Sequence, residues 1–87
     1  MTFSDLAVQV ANNLLALAKE EGFETFTEMK KSYMWESQDI KDEVYYIISH
    51  LNNSNISMWD DCSVVEIGWE QMRWGQFKKL VFGYIKK

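Results

Sequence analysis

Residues 57–86, SMWDDCSVVEIGWEQMRWGQFKKLVFGYIK, decide the fold class of this chain. Apolar residues recur along this stretch at spacings of three and four, which is typical of the buried face of an amphipathic helix. The pattern predicts helices over residues 58–67 and 70–86, with a break or bend near Gly68 or Gly75. The apolar positions are Met58, Cys62, Val65, Trp69 and Met72, followed by Phe77, Leu80, Val81 and Tyr84.

The same stretch also has features of a β-hairpin. Gly68, Gly75 and Gly83 would each destabilise a helix interior by about 1 kcal/mol relative to alanine. The β-branched and aromatic residues within 64–67 and 80–85 also favour strands. The alternative fold is therefore α+β, with three helices followed by a C-terminal hairpin, which is the order of a winged-helix domain.

Three amphipathic helices are predicted before this stretch, over about residues 5–21, 26–34 and 38–52. Each begins after a hydroxyl residue that can accept a hydrogen bond from the first free backbone amides. Together with the helical interpretation of the last third, they predict an all-α bundle of four or five short helices. This bundle would form one domain over residues 1–87 with an aliphatic and aromatic core. The candidate N-caps are Ser4, Thr25 and Ser37.

The charge of the chain is acidic and unevenly distributed. The 87 residues contain 13 Asp and Glu against 9 Lys and Arg, a formal net charge of −4. Residues 1–61 contain 11 acids and 4 bases, a net charge of −7, whereas residues 62–87 contain 2 acids and 5 bases, a net charge of +3. Such asymmetry can steer the approach of a charged partner.

The composition also indicates a compartment. A single cysteine, Cys62, cannot form an internal disulfide, which fits a reducing environment. The first residues have no basic segment of the kind that precedes a secretory signal. The longest apolar run of the first helix, residues 14–18, is too short to span a bilayer. We therefore expect a cytoplasmic protein with no membrane association.

The residues that could perform catalysis or bind a metal are few. Cys62 and His50 form the only nucleophile and base pair, but Cys62 falls on the apolar pattern and is expected to be a small buried hydrophobe. His50 is predicted in the last turn of a helix, where a cation is favourable. The chain contains no phosphate-binding loop, dinucleotide fingerprint or zinc-protease motif. These observations predict no enzyme activity, no cofactor and no metal site.

The aromatic content is the most informative feature of the sequence. Thirteen of the 87 residues are Phe, Trp or Tyr, and several fall off the predicted apolar faces. Tyr45 and Tyr46, for example, are adjacent and cannot both face the interior from one helix. Trp and Tyr dominate the residues that contribute most to protein interfaces. The surplus rings therefore predict a surface that binds another macromolecule.

These features predict a small, acidic, non-catalytic protein-binding module. We expect an inhibitor or adaptor of a larger basic protein, such as a nucleic-acid-processing enzyme. Proteins of mobile elements and phages that counter host defence are often of this size and composition. The predicted contact residues are Tyr45, Tyr46, Trp59, Asp60 and Asp61, surrounded by Glu24, Glu28, Asp42 and Glu43.

Two alternative functions are compatible with the same sequence. A helix-turn-helix or winged-helix regulator would bind nucleic acid through the third helix or through a C-terminal basic segment, although the acidic net charge makes this less favourable. A homodimer or larger homo-oligomer with a structural role would associate through Trp69, Trp74 and Phe82. The candidate nucleic-acid-binding residues are Arg73, Trp74, Lys78, Lys79, Lys86 and Lys87.

Overall fold

A computed structural model describes residues 1–86, in which three helices are followed by a three-stranded antiparallel sheet and a fourth helix. The fold is therefore α+β, and the predicted all-α bundle is wrong. The alternative α+β prediction gives the correct class, although the sheet has three strands and a helix follows it. The elements are α1 (Phe3–Glu20), α2 (Phe26–Ser32), α3 (Ser37–Ser49), β1 (Ile56–Met58), β2 (Val64–Ile67), β3 (Glu70–Arg73) and α4 (Trp74–Ile85).

The first three helices are confirmed, with some of their N-caps displaced. Helix α1 begins earlier than predicted because Thr2, rather than Ser4, is its N-cap. The Thr2 hydroxyl accepts a hydrogen bond from the Asp5 amide, and the Asp5 carboxylate accepts one from the Thr2 amide, each at 3.1 Å. Thr25 is the N-cap of α2, as predicted. Helix α3 begins at Ser37, and its N-cap is Glu36 rather than Ser37.

The predicted helix over residues 58–67 is wrong, because a tight turn separates β1 from β2. The Asp61 carboxylate accepts hydrogen bonds from both the amide and the hydroxyl of Ser63, at 3.0 and 2.6 Å. Cys62 has a left-handed backbone with φ of 61°, and its amide donates to the Trp59 carbonyl. These local bonds compete with helix formation and reverse the chain.

The apparent helical periodicity arises from the register of the sheet. Met58, Val65 and Met72 lie opposite one another on adjacent strands, in one row across the sheet. Their side chains share a face because paired residues of an antiparallel sheet point to the same side. The spacing of seven residues between neighbours in this row equals about two turns of a helix. The sequence pattern therefore fits both structures.

A two-residue turn joins β2 to β3 and explains why the last helix starts late. Ile67 pairs with Glu70, so Gly68 and Trp69 form the whole loop. Gly68 has φ of +59°, as required at the first position of a type II′ hairpin turn. The predicted helix over 70–86 is therefore correct only from Trp74 onward, because residues 70–73 pair with β2.

The core lies between α1, α4 and the inner face of the sheet. Leu6, Val10 and Leu14 from α1 are fully buried, and Phe77 of α4 is equally inaccessible to solvent. Helix α2 contributes Phe26, whose ring lies 6.2 Å from the Phe82 ring. Within residues 1–86, no helix combines the length and hydrophobicity that crossing a bilayer requires.

Candidate protein-binding surface

The thirteen aromatic rings divide unequally between the interior and the surface. Most are buried or half-buried, including Trp74, which is only 8 % exposed. Trp69, in contrast, is fully exposed at the tip of the β2–β3 hairpin, and Trp59 is 42 % exposed. The rings that remain available to a partner are thus limited to a few exposed positions. The exposed rings are Tyr33, Tyr46, Trp59 and Trp69.

A hydrogen bond joins α3 to the loop between β1 and β2. The Tyr45 hydroxyl donates to the Asp60 carboxylate at 3.3 Å. Tyr45 is half-buried on α3, whereas Trp59, Asp60 and Asp61 follow directly after β1. All five predicted contact residues therefore lie on two neighbouring segments, α3 and the β1–β2 loop.

The Trp59 ring is held on the outer face of the sheet. Its indole nitrogen donates a hydrogen bond to the Glu66 carboxylate of β2. The Gln71 side chain of β3 donates to the same carboxylate oxygen at 3.1 Å. Because these bonds fix the ring while 42 % of Trp59 remains exposed, a partner could contact it with little loss of conformational entropy.

The charges of three carboxylates act on the buried thiol of Cys62. Burial is the main cause that raises the pKa of the Cys62 thiol, and the charges of Asp42, Asp61 and Asp60 raise the pKa further. The Lys41 ammonium acts in the opposite direction. Asp42 lies about one helical turn before Tyr45 on α3, and Asp60 and Asp61 are adjacent in the β1–β2 loop. We call Asp42, Tyr45, Trp59, Asp60 and Asp61 the acidic–aromatic surface.

Tyr46 and Glu43 point away from this surface. Successive residues of a helix are about 100° apart, so neighbours of Tyr45 and Asp42 face other directions. The Tyr46 ring packs on the His50 ring with centroids 4.1 Å apart, and Tyr46 is 58 % exposed. Glu43 is half-buried, and its desolvation raises the pKa of its carboxyl group. Helix α3 ends at Ser49, earlier than predicted, so His50 is its C-cap rather than part of its last turn, with Nδ1 2.8 Å from the Tyr46 carbonyl.

Glu24 and Glu28 belong to another part of the molecule. They flank Thr25, the N-cap of α2. Glu24 lines a depression together with Phe26 and Ile85, which involves neither α3 nor the sheet. The structure gives no contact between these two glutamates and the acidic–aromatic surface.

A groove between α3 and β1 adjoins the acidic–aromatic surface and shares Tyr45 with it. Its volume is about 410 Å³. This groove was not predicted, because the apolar pattern of residues 58–67 indicates a helix. The alternation of apolar and polar residues at Ile56, Ser57 and Met58 was the available signal for a strand here. The groove is lined by Tyr45, Ile48, Ser49, Asn52, Asn53, Ser54, Ile56, Ser57 and Met58.

The candidate nucleic-acid residues lie in different environments. Burial of Trp74 prevents its ring from stacking on a base, and Arg73 is exposed on the edge strand β3. The Lys78 ammonium lies 5.6 Å from the centroid of the Phe82 ring, as does that of Lys30 from α2. Lys79 and Lys86 line the same face of α4, and Lys87 lies outside the described residues.

The proposed self-association residues do not form one patch. Trp69 occupies the hairpin tip and Trp74 is buried. Phe82 is half-buried between two lysine side chains and Phe26. These three positions provide no continuous aromatic surface.

The comparisons with known proteins give no relative. No family model, curated protein or solved structure matches the chain significantly. Residues 1–86 also contain no group of three or more His, Cys, Asp or Glu side chains arranged to hold a metal ion.

Proposed function

We propose that this protein is a small cytoplasmic binding module that inhibits or recruits a larger protein by binding a basic region of it. The observation on which this proposal depends is the Tyr45–Asp60 hydrogen bond. It brings the carboxylates of the β1–β2 loop and the exposed Trp59 ring together with α3. The partner would contact the ring and place lysine or arginine side chains near the carboxylates.

The two chemical features of this surface have different effects on binding. A fixed, half-exposed indole supplies a large apolar contact, and such rings contribute most of the binding energy at many interfaces. The carboxylates of Asp42, Asp60 and Asp61 attract a basic partner and raise the association rate more than the affinity. Association should therefore slow as the salt concentration rises.

The properties of the possible catalytic groups support a non-catalytic role. Cys62 is buried, and its thiol pKa is raised, so little thiolate forms near neutral pH. His50 has Nδ1 at hydrogen-bonding distance from a backbone carbonyl at the end of α3. Neither group lies beside the other in a way that would activate a nucleophile.

Nucleic-acid binding has less support than protein binding. The lysine ammonium groups near Phe82 favour an anionic ligand, but that ring is half-buried between them and against Phe26. Trp74, the second ring of the predicted nucleic-acid surface, is buried. This alternative remains a prediction.

Neutralising the acidic–aromatic surface should strongly reduce partner capture. The variant Asp42→Asn, Asp60→Asn and Asp61→Asn keeps the side-chain shapes and the oxygen that bonds Ser63, but removes three charges. Immobilised wild-type protein should retain a basic protein from a lysate of the source organism, and the variant should lose most of it. Quantitative mass spectrometry of the retained proteins measures the difference.

A matched control separates local charge from net charge. The variant Glu20→Gln, Glu24→Gln and Glu28→Gln removes the same number of carboxylates from α1, α2 and the segment between them. It should retain the partner as the wild type does. Equal loss in both variants, or equal retention in both, would contradict the proposal.

A further inference from the structure

The strand β1 forms one edge of the sheet. The strand order is β1–β2–β3, and β1 pairs only with β2. An edge strand presents unpaired backbone groups that can bind another chain. Its sequence, Ile56-Ser57-Met58, contains no proline or charged residue, the features that commonly block such edges.

The hydrogen bonds at the two ends of β1 show which backbone groups are free. The Gly68 amide donates to the Asn55 carbonyl at 2.8 Å, and the Trp59 amide donates to the Val64 carbonyl at 2.9 Å. Backbone groups alternate in direction along a strand, so those of Ile56 and Met58 point away from β2.

Only part of this free edge is occupied within the molecule. The Ile56 amide donates to the Asn53 carbonyl at 3.1 Å. Within residues 1–86, the Met58 amide and the carbonyl groups of Ile56 and Met58 have no backbone partner. One donor and two acceptors therefore remain along the edge.

The groove beside this edge has space for an extended chain. It runs between β1 and the C-terminal half of α3, has a volume of about 410 Å³ and is open to solvent. An extended segment rises roughly 3.3 Å per residue, so about three residues would lie along β1. Tyr45 and Ser49 of α3 would lie across the groove from β1 and could contact alternate side chains of the added segment.

The charge near the groove selects the occupant. Tyr45 lines the groove and bonds Asp60, Asp61 follows Asp60 in the β1–β2 loop, and Asp42 lies about one helical turn before Tyr45 on α3. We propose that an extended, basic segment of the partner protein binds in this groove as a fourth strand, paired with β1. This mode of binding, called strand addition, rests on the proposed function and specifies how the partner is recognised.

Strand addition can be tested by comparing amide exchange in the free protein and in the protein bound to a defined peptide probe. The probe is the acetylated and amidated heptapeptide Lys-Val-Lys-Thr-Lys-Val-Lys, added to ¹⁵N-labelled full-length protein. Hydrogen exchange followed by NMR should show that the Met58 amide exchanges faster than the Trp59 amide in the free protein. Saturating probe should slow Met58 exchange by ~10-fold or more, because pairing protects the amide.

Three controls separate strand pairing from general attraction. A probe with Glu in place of each Lys should not protect Met58, and a probe N-methylated at alternate residues should not pair. The variant Asp60→Asn, Asp61→Asn should bind the lysine probe more weakly. Absence of Met58 protection, equal protection by the glutamate probe, or equal binding of the N-methylated probe would overturn strand addition.

The outcomes also distinguish this inference from the proposed function. Charge-dependent partner capture with an unprotected Met58 amide would overturn strand addition alone. Failure of both experiments would overturn the proposed function as well.

Discussion

Replacing Trp59 by alanine is expected to weaken partner binding by about 2 kcal/mol, or roughly 30-fold in Kd. The indole is held by Glu66 while 42 % of the residue remains exposed, so the wild-type ring is already oriented for contact. The alanine variant lacks the apolar surface that the indole offers to the partner, and only the neighbouring carboxylates remain to bind it. Isothermal titration calorimetry with the captured partner measures the change.

The matched control for this variant is Trp69→Ala. Trp69 has the same side chain and is fully exposed, but it lies at the β2–β3 tip, at the opposite end of the sheet from Trp59. Its replacement should leave Kd within error of the wild type. Thermal unfolding of both variants checks that they are folded. Equal Kd values for Trp59→Ala and the wild type would rule out this surface as the main contact.

Replacing Phe77 by alanine is expected to destabilise the fold by about 3–5 kcal/mol. Phe77 is fully buried in α4, in the core that this helix shares with α1. The loss in the free energy of unfolding has two causes. The transfer free energy of the buried ring is lost, and the neighbouring side chains fill only part of the cavity that the ring leaves. Because domains of this size are usually stable by about 5–15 kcal/mol, the variant should be close to unfolding at 37 °C.

Urea denaturation followed by circular dichroism measures this effect. Trp69→Ala serves again as the control, because a fully exposed side chain contributes little to stability, within about 0.5 kcal/mol. A loss below about 1 kcal/mol for Phe77→Ala would show that α4 does not pack on the core as described.

The helices could be predicted because their signals are local. Phe26 and Met29 of α2, for example, lie on one helical face and follow an N-cap threonine, Thr25. The sheet could not be assigned in the same way. Met58, Val65 and Met72 recur every seven residues because they face one another across three strands, and a helix would give the same spacing.

The turn residues contained the missing information. Asp61 and Ser63 close the β1–β2 turn by side-chain hydrogen bonds, and Gly68 has the positive φ that a two-residue hairpin needs. These are short-range signals that a search for apolar periodicity does not register. Recognition of Asp-x-Ser and of Gly directly after a β-branched segment would have favoured the sheet.

The candidate site could be predicted only in part. The sequence identified Tyr45, Trp59 and Asp60 from residue type, and the structure places them on neighbouring segments. It could not show that Glu24 and Glu28 lie elsewhere, because their position depends on how α2 packs. The groove beside β1 forms only where residues far apart in the sequence come together. Its one local signal is the alternation of apolar and polar residues over positions 56–58.

The most direct test of the acidic–aromatic surface is hydroxyl-radical footprinting of the isolated complex. Both Trp59 and Trp69 are accessible in the free protein, so each reports on its own end of the sheet. We expect oxidation of Trp59 to fall strongly when the partner is bound, while oxidation of Trp69 stays unchanged. Unchanged oxidation of Trp59, with protection of Trp69 or of the lysine face of α4 instead, would contradict the account.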